Sequence, residues 1–316
     1  MELDELFGER RRLMSLAFRM TGTLADAEDV VQETYLRWYR LEEAEREAIA
    51  NPVGWLTRVA SRVALDLLGS ARRRRERYIG QWLPEPVNAE LFRYTAPHRD
   101  GQVRGTADLV DPLDRVTLDD AVGSALLVVL EAMTPAERVA FVMHDVFGIS
   151  FNEIAEVVGR SPAAVRQLAT AGRRHVRESR VAGVSRAEHD RAVRAFLAAS
   201  RTGDVQSLMR TLAPDVQLRV DGGGYVNAAA NVVEGQDRVA RFLLGSQAKL
   251  PMLALEEQRL GDGLGVRIQN GHVLTGVVSF GAHEGLITQV LIMINPEKLT
   301  SWIRVPGDSG RGEGNV

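Results

Sequence analysis

Apolar residues recur at three- and four-residue spacing through the first half of the chain. In the last third they alternate at two-residue spacing or gather in short runs, so the pattern predicts helices first and strands afterwards. Residues 3–20 read as a helix with Leu3, Leu6, Phe7, Leu13, Leu16, Ala17 and Met20 on one face, ended by Thr21-Gly22-Thr23. A second helix buries Ala27, Val30, Val31, Thr34, Tyr35 and Trp38 and turns Asp26, Glu28, Asp29, Gln32 and Glu33 the other way. After a break at Asn51-Pro52, a third buries Val53, Leu56, Val59, Ala60, Val63, Ala64 and Leu67. It leaves Trp55, Arg58, Arg62 and Asp66 largely outside that stripe and ends in an Arg run.

From Gln81 to Asp114 no period is sustained, and Pro84, Pro86, Pro97 and Pro112 with several Gly turns give linker composition. Within it WLPEP is unusual, because a Trp-Leu pair stiffened by two prolines is suited to docking on another surface. Residues 115–178 return to helical spacing, with an apolar stretch from Leu118 to Met133 and a capped start at Thr134-Pro135-Ala136-Glu137. FNEIAEVV, the turn Gly159-Arg160-Ser161 and the helix Pro162–Glu178 then form a helix-turn-helix plan. In its last helix Ala164, Val165, Leu168 and Val176 face inward. Arg166, Gln167, Arg173, Arg174 and Arg177 can face a major groove and its phosphates.

Beyond Ser185 the pattern predicts helices at Glu188–Thr202 and Val205–Leu212 and another at Gly235–Gly245. Strands are expected at Val216–Val220, Leu253–Leu260, Gly265–Gln269, His272–Phe280 and Leu286–Ile294, arranged as an antiparallel run in an α+β unit. The chain therefore divides into a helical unit over 1–80, a linker over 81–114, a second helical unit over 115–180, and an α+β unit over 185–305. Residues 306–316 are Gly-rich and polar, a composition that predicts disorder.

A net charge of −3 excludes a surface uniformly suited to nucleic acid, so DNA binding must come from local segregation. Ala50 to Gly80 holds seven Arg against Asp66 and Glu76, and Arg160 to Arg180 holds six Arg against Glu178. With no Cys in the chain, disulfides, thiolate metal sites and Cys nucleophiles are excluded, and no metal or cofactor site is expected. The start MELDELFGERRRLMS lacks a signal-peptide core and no apolar run approaches membrane length, so a soluble, cytoplasmic protein is expected. Asp215, Asp221, His272 and His283 are candidate bases, but none stands in a paired set at telling spacing, and both histidines read as turn residues. The glycines after Asp221 suggest close approach of the backbone to another surface, and no Lys and no helix follow as in a phosphate loop.

An acidic helix surface followed by an aromatic-and-Arg surface suits a protein that holds a basic protein partner while touching exposed nucleotides. DAEDVVQETYLRWY (Asp26–Tyr39), NPVGWLTRVASRVALD (Asn51–Asp66) and the RRRRERY that follows resemble, as an ordered set, region 2 of an extracytoplasmic-function sigma factor. The helix-turn-helix resembles sigma region 4, with Ala169-Thr170-Ala171-Gly172 in place of a more basic stretch. WLPEP is similar to the linker signature of the sigma subgroup with a fused C-terminal domain. The last unit resembles the SnoaL-like cone fold with that subgroup's motifs, DGGG at Asp221–Gly224 and NPEKL at Asn295–Leu299. Tyr225 stands where Arg is often seen, and Glu297 where Asp is commoner.

The resemblance implies a multidomain protein, two all-α sigma units followed by an α+β cone, that binds core RNA polymerase and promoter DNA and is not an enzyme. Asp26, Asp29, Gln32 and Glu33 would hold the basic coiled coil of the polymerase largest subunit. Trp55, Arg58 and Arg62 would lie near the melted −10 strand, and Arg166, Gln167, Arg173 and Arg174 near the −35 duplex. Trp82, Leu83 and Pro84 would meet Asp221, Gly222, Gly223, Gly224, Asn295, Pro296 and Leu299 in a regulatory contact between domains, and the cone could also take a small-molecule ligand. The alternative is a helix-turn-helix repressor or sensor fused to a cone-fold enzyme; the acidic helix separates the two, since a repressor has no need of it.

Overall fold

A computed structural model of the protein describes residues 3–75, 78–88, 124–179, 184–225, 231–261 and 263–303. The expected linker beyond Asn88, the start of the second helical unit and the C-terminal tail lie outside these residues, as do the side chains of the Arg run. Helices α1 (Leu3–Thr21), α2 (Leu24–Arg40), α3 (Glu43–Glu47) and α4 (Pro52–Arg75) come first. α5 (Ser124–Glu131), α6 (Pro135–Phe141), a π-helical turn (Val142–Val146), α7 (Phe151–Val158) and α8 (Pro162–Glu178) follow. Side-chain caps set the starts: Thr23 for α2, Thr134 for α6, Ser150 for α7 and Ser161 for α8 each accept from a backbone N–H in the first turn.

The two helical units share one core, in which Phe18, Met20, Leu56 and Ala60 pack with Phe141, Met143, Ile154 and Val165. Ala169 and Gly172 account for the non-basic stretch of α8. Both are buried, and a Cβ on Gly172 would come within 2.9 Å of the Phe141 side chain, so small residues let α8 lie close on α6.

The third unit holds α9 (Arg186–Thr202), α10 (Val205–Met209), β1 (Leu212–Asp221), β2 (Val233–Glu234), α11 (Gln236–Lys249) and β3 (Leu253–Leu260). It finishes with β4 (Gly263–Asn270), β5 (Val273–His283), β6 (Leu286–Met293), a 3-10 turn (Pro296–Lys298) and α12 (Thr300–Ile303). The expected helix over Val205–Leu212 stops at Met209 because Leu212 already begins β1, and the two-residue β2 was not expected.

The strands form one six-stranded sheet in the order β2-β1-β6-β5-β4-β3. β3 to β6 form the antiparallel run expected, but β1 joins it in parallel with β6, with Asp221 opposite Met293. Val193, Phe196, Leu218, Val220 and Phe280 fill the space between the helices and the inner sheet face. On the outer face Leu260, Val277, Leu291 and Met293 pack against Leu83 of the linker and Ala125 and Val128 of α5. α5 is thus buried on both sides, with Leu127 and Leu130 in the helical core and Ala125 and Val128 on the sheet.

Candidate interdomain lock and nucleic-acid surface

The parallel β1/β6 pair delivers the ends of both strands to the same edge of the sheet. DGGG and NPEKL, far apart in sequence, therefore lie side by side, with Ile294 N–H bonded to the Asp221 carbonyl at 2.9 Å. Asp221 is fully buried, 0% exposed, and its carboxylate gathers donors from both motifs and the linker. Oδ1 accepts from the Tyr78 hydroxyl (2.6 Å) and Gly223 N–H (3.0 Å); Oδ2 accepts from Leu83 N–H (2.8 Å) and Lys298 Nζ (2.8 Å). Lys298 Nζ also donates to the Leu83 carbonyl at 2.6 Å and lies 4.1 Å from the Trp82 ring centroid and 4.9 Å from that of Tyr78. Asn295 Nδ2 donates to the Tyr78 hydroxyl at 2.7 Å. Burial first, and then the bond to Asp221, push the Tyr78 phenol well above its usual range.

A carboxylate so enclosed is stable only with its donors in place; removing one partner of such a buried pair leaves an uncompensated charge. The second glycine of the motif is required sterically. Gly223 has φ 63°, and a Cβ there would sit 2.5 Å from the Asn295 amide.

Of the residues expected in this contact, Leu83, Pro84, Gly222 and Leu299 are buried, and Trp82 is half-buried under Lys298. Pro296 is exposed and opens the 3-10 turn that aims Lys298 inward. Tyr78 gave no local sign of this role, and Lys298 stood in the sequence only as part of the NPEKL motif at Asn295–Leu299. Lys298 did carry a signal, because it and Lys249 are the only lysines in an Arg-rich chain. Asp221, a candidate base by sequence, is consumed by these bonds, while Asp215 and His272 are exposed and His283 is half-buried.

On α2, Asp29 and Gln32 are exposed. Glu33 is half-buried and paired to Arg37 at 2.8 Å, and the Asp26 carboxylate accepts from the Thr23 hydroxyl at 2.9 Å. On α4 the surface expected to meet nucleotides is turned toward the second helical unit. Arg62 Nη1 donates to the Val157 carbonyl at 2.6 Å, Arg58 lies 3.9 Å from Glu156, and Trp55 packs edge-on against Trp38 with centroids 5.3 Å apart. On α8, Arg166, Gln167 and Arg174 are exposed, with the Arg166 guanidinium 5.0 Å from the Phe151 ring centroid. Arg173 differs from its neighbours: it is half-buried and bonded at 2.5 Å to the buried carboxylate of Asp145.

Two helical units with these surfaces, joined by a docking linker and followed by an α+β domain, define a sigma factor with a fused C-terminal domain. Residues 6–74 match Sigma-70 region 2, and residues 124–176 match Sigma-70 region 4. The chain is 38% identical to the ECF RNA polymerase sigma factor SigJ of Mycobacterium tuberculosis over 95% of its length and 94% of the relative's. It is 36% identical to the probable ECF RNA polymerase sigma factor SigI of the same species over 92% of each. The crystal structure of M. tuberculosis SigJ superposes with a TM-score of 0.70 and 34% identity, covering 95% of this chain and 99% of that one. The chain belongs to the ECF RNA polymerase sigma factors, which makes it a transcription initiation factor rather than an enzyme. Among the described residues no helix is long and apolar enough to cross a membrane.

Proposed function

We propose that this sigma factor binds core RNA polymerase through the α2 face of Asp26, Asp29, Gln32 and Glu33, and that its C-terminal domain holds it in a closed state until that domain is released. In this reading Trp55, Arg58 and Arg62 meet the melted −10 strand, and Arg166, Gln167 and Arg174 meet the −35 duplex. A sigma factor must place its two DNA-reading units at a separation set by the polymerase and the promoter. Regions 2 and 4 packed in one core cannot do so, and contacts with α7 compete with DNA for Arg58 and Arg62 of α4.

The observation that carries the reading is the burial of α5 between the sigma core and the C-terminal sheet, with the Asp221–Lys298 pair fastening the adjacent linker. Run-off transcription with purified core polymerase tests it. Full-length Lys298→Met should initiate more often than the native chain at limiting sigma, and so should a chain ending after Arg180. Unchanged transcription in both would show that the C-terminal domain does not govern initiation.

A further inference from the structure

The turn between α1 and α2 is where all parts of the molecule meet. Arg138 of α6 donates to the Met20 carbonyl at 2.8 Å and pairs with Glu131 of α5. The linker crosses the same turn: Glu85 N–H donates to the Gly22 carbonyl at 2.8 Å, and Trp82 and Pro84 pack on Gly22 so closely that a Cβ there would meet Trp82 at 2.8 Å. The C-terminal domain reaches it through α12, where Trp302 Nε1 donates to the Pro86 carbonyl at 2.7 Å. The side chain at the centre is Glu85, only 5% exposed.

Its two carboxylate oxygens are divided between domains. Oε2 accepts from Leu24 N–H, at the first residue of α2, at 2.9 Å, and Oε1 accepts from the Ser301 hydroxyl of α12 at 3.1 Å. Leu24 N–H has no acceptor within its own helix, as for every N–H of a helix's first turn, so this carboxylate is what satisfies it. A negative charge at that end also stabilises the helix.

We propose that Glu85 is a positioning residue that ties the first turn of α2, and with it the polymerase-facing Asp26 and Asp29, to the docked C-terminal domain. When α12 leaves, Glu85 loses the Ser301 hydroxyl and the nearby charge of Lys298. A carboxylate left with one donor exchanges that donor for water, and the first turn of α2 loosens. The coupling is reciprocal, so a partner that reshapes this turn weakens docking of the domain by the same free energy. This rests on the reading above, in which the domain governs the sigma regions.

The test is amide hydrogen exchange at Leu24 in the full-length protein, with Ser301→Ala, Glu85→Gln and the native chain compared. Ser301 is exposed, so its replacement leaves both cores intact. Ser301→Ala should speed exchange at Leu24 about fivefold, the equivalent of one lost hydrogen bond, and leave amides in the middle of α4 unchanged. Glu85→Gln supplies one acceptor oxygen in place of two and should also speed Leu24. Both variants should alter affinity for core polymerase while keeping the native melting temperature within a few degrees. Unchanged exchange at Leu24 in Ser301→Ala overturns the coupling. An equal rise at every amide, α4 included, also overturns it, because Ser301 would then be holding the fold as a whole. Run-off transcription of Lys298→Met separates the two readings. If transcription responds and Leu24 does not, only the coupling fails; if Leu24 responds and transcription does not, the regulatory reading fails.

Discussion

Tyr225 donates a 2.5 Å hydrogen bond to Oε1 of Glu297. Tyr225 follows the glycines of DGGG and Glu297 lies within NPEKL, so the bond spans the junction of the two motifs. The bond raises the Tyr225 phenol above its usual range, because the carboxylate holds its proton. Both residues are exposed, so water competes for the bond. Tyr225→Phe is therefore expected to leave docking of the C-terminal domain nearly as it was, measured as the yield of a linker-to-domain crosslink. A large loss of crosslink would place the strength of the junction at its rim and not in the buried pair.

Lys298 and Asp221 should behave differently. Lys298→Met strands a fully buried carboxylate, and the docked state should lose about 3–5 kcal/mol. Asp221→Asn added to Lys298→Met removes the orphaned charge and should recover part of that loss. The measurement is protease sensitivity of the linker near Trp82 in the single and double variants; equal sensitivity in the two would mean that charge is not what the pair contributes.

Docking should also depend on pH through Glu85. Burial, the largest influence, raises its carboxyl above the usual range against the bonds from Leu24 and Ser301 and the charge of Lys298, and Glu28 adds to the rise. A carboxyl raised in the docked state binds its proton more tightly there than after release. Protonation of Glu85 therefore adds to docking at acid pH, and that added part is lost as pH rises through the docked value, leaving the two bonds accepted by the ionised carboxylate. The docked fraction should rise from neutral to mildly acid pH in the native chain, and the rise should flatten in Glu85→Gln. A slope in that variant as steep as the native one would assign the effect to another group.

At the helical interface, Glu156→Arg should repel Arg58 and free the α4 surface. Binding of a single-stranded −10 oligonucleotide should tighten several-fold, most visibly at low salt. Affinity equal to the native chain at low salt would show that α7 does not compete with DNA for α4.

Arg173 and Arg174 are adjacent in sequence yet should fail in different ways. Arg173→Ala removes the guanidinium that is bonded to the Asp145 carboxylate and should lower the melting temperature, a cost of about 1–3 kcal/mol. Arg174→Ala, at an exposed position, should keep the native melting temperature and lose promoter activity. Thermal unfolding alongside run-off transcription distinguishes them, and the reverse pattern would mean that the groove-facing side of α8 has been misassigned.

Much of this was open to reading along the chain. The buried stripes of α2 and α4, the acidic face of α2 and the helix-turn-helix follow from residues a few positions apart, because helical periodicity is a local property. The expected strand over Leu253–Leu260 falls on β3 for the same reason. The short β2 escaped notice because two residues cannot show a period. Glu85 and Arg138 gave no local sign of their roles, because their partners at Leu24, Ser301 and Met20 lie far away in sequence.

By itself, the sequence determined the elements, the faces they bury and the motifs that mark a sigma factor. Only the tertiary structure decided which surfaces are paired. Parallel pairing of β1 with β6 carries Asp221 and Asn295 to one edge, and an antiparallel pair would have left them at opposite ends. The common core of the two helical units commits Arg62 to Val157, and burial of Asp145 commits Arg173. The physical reason is that periodicity records which side of an element avoids water, whereas the partner on that side is chosen by the packing of the whole chain.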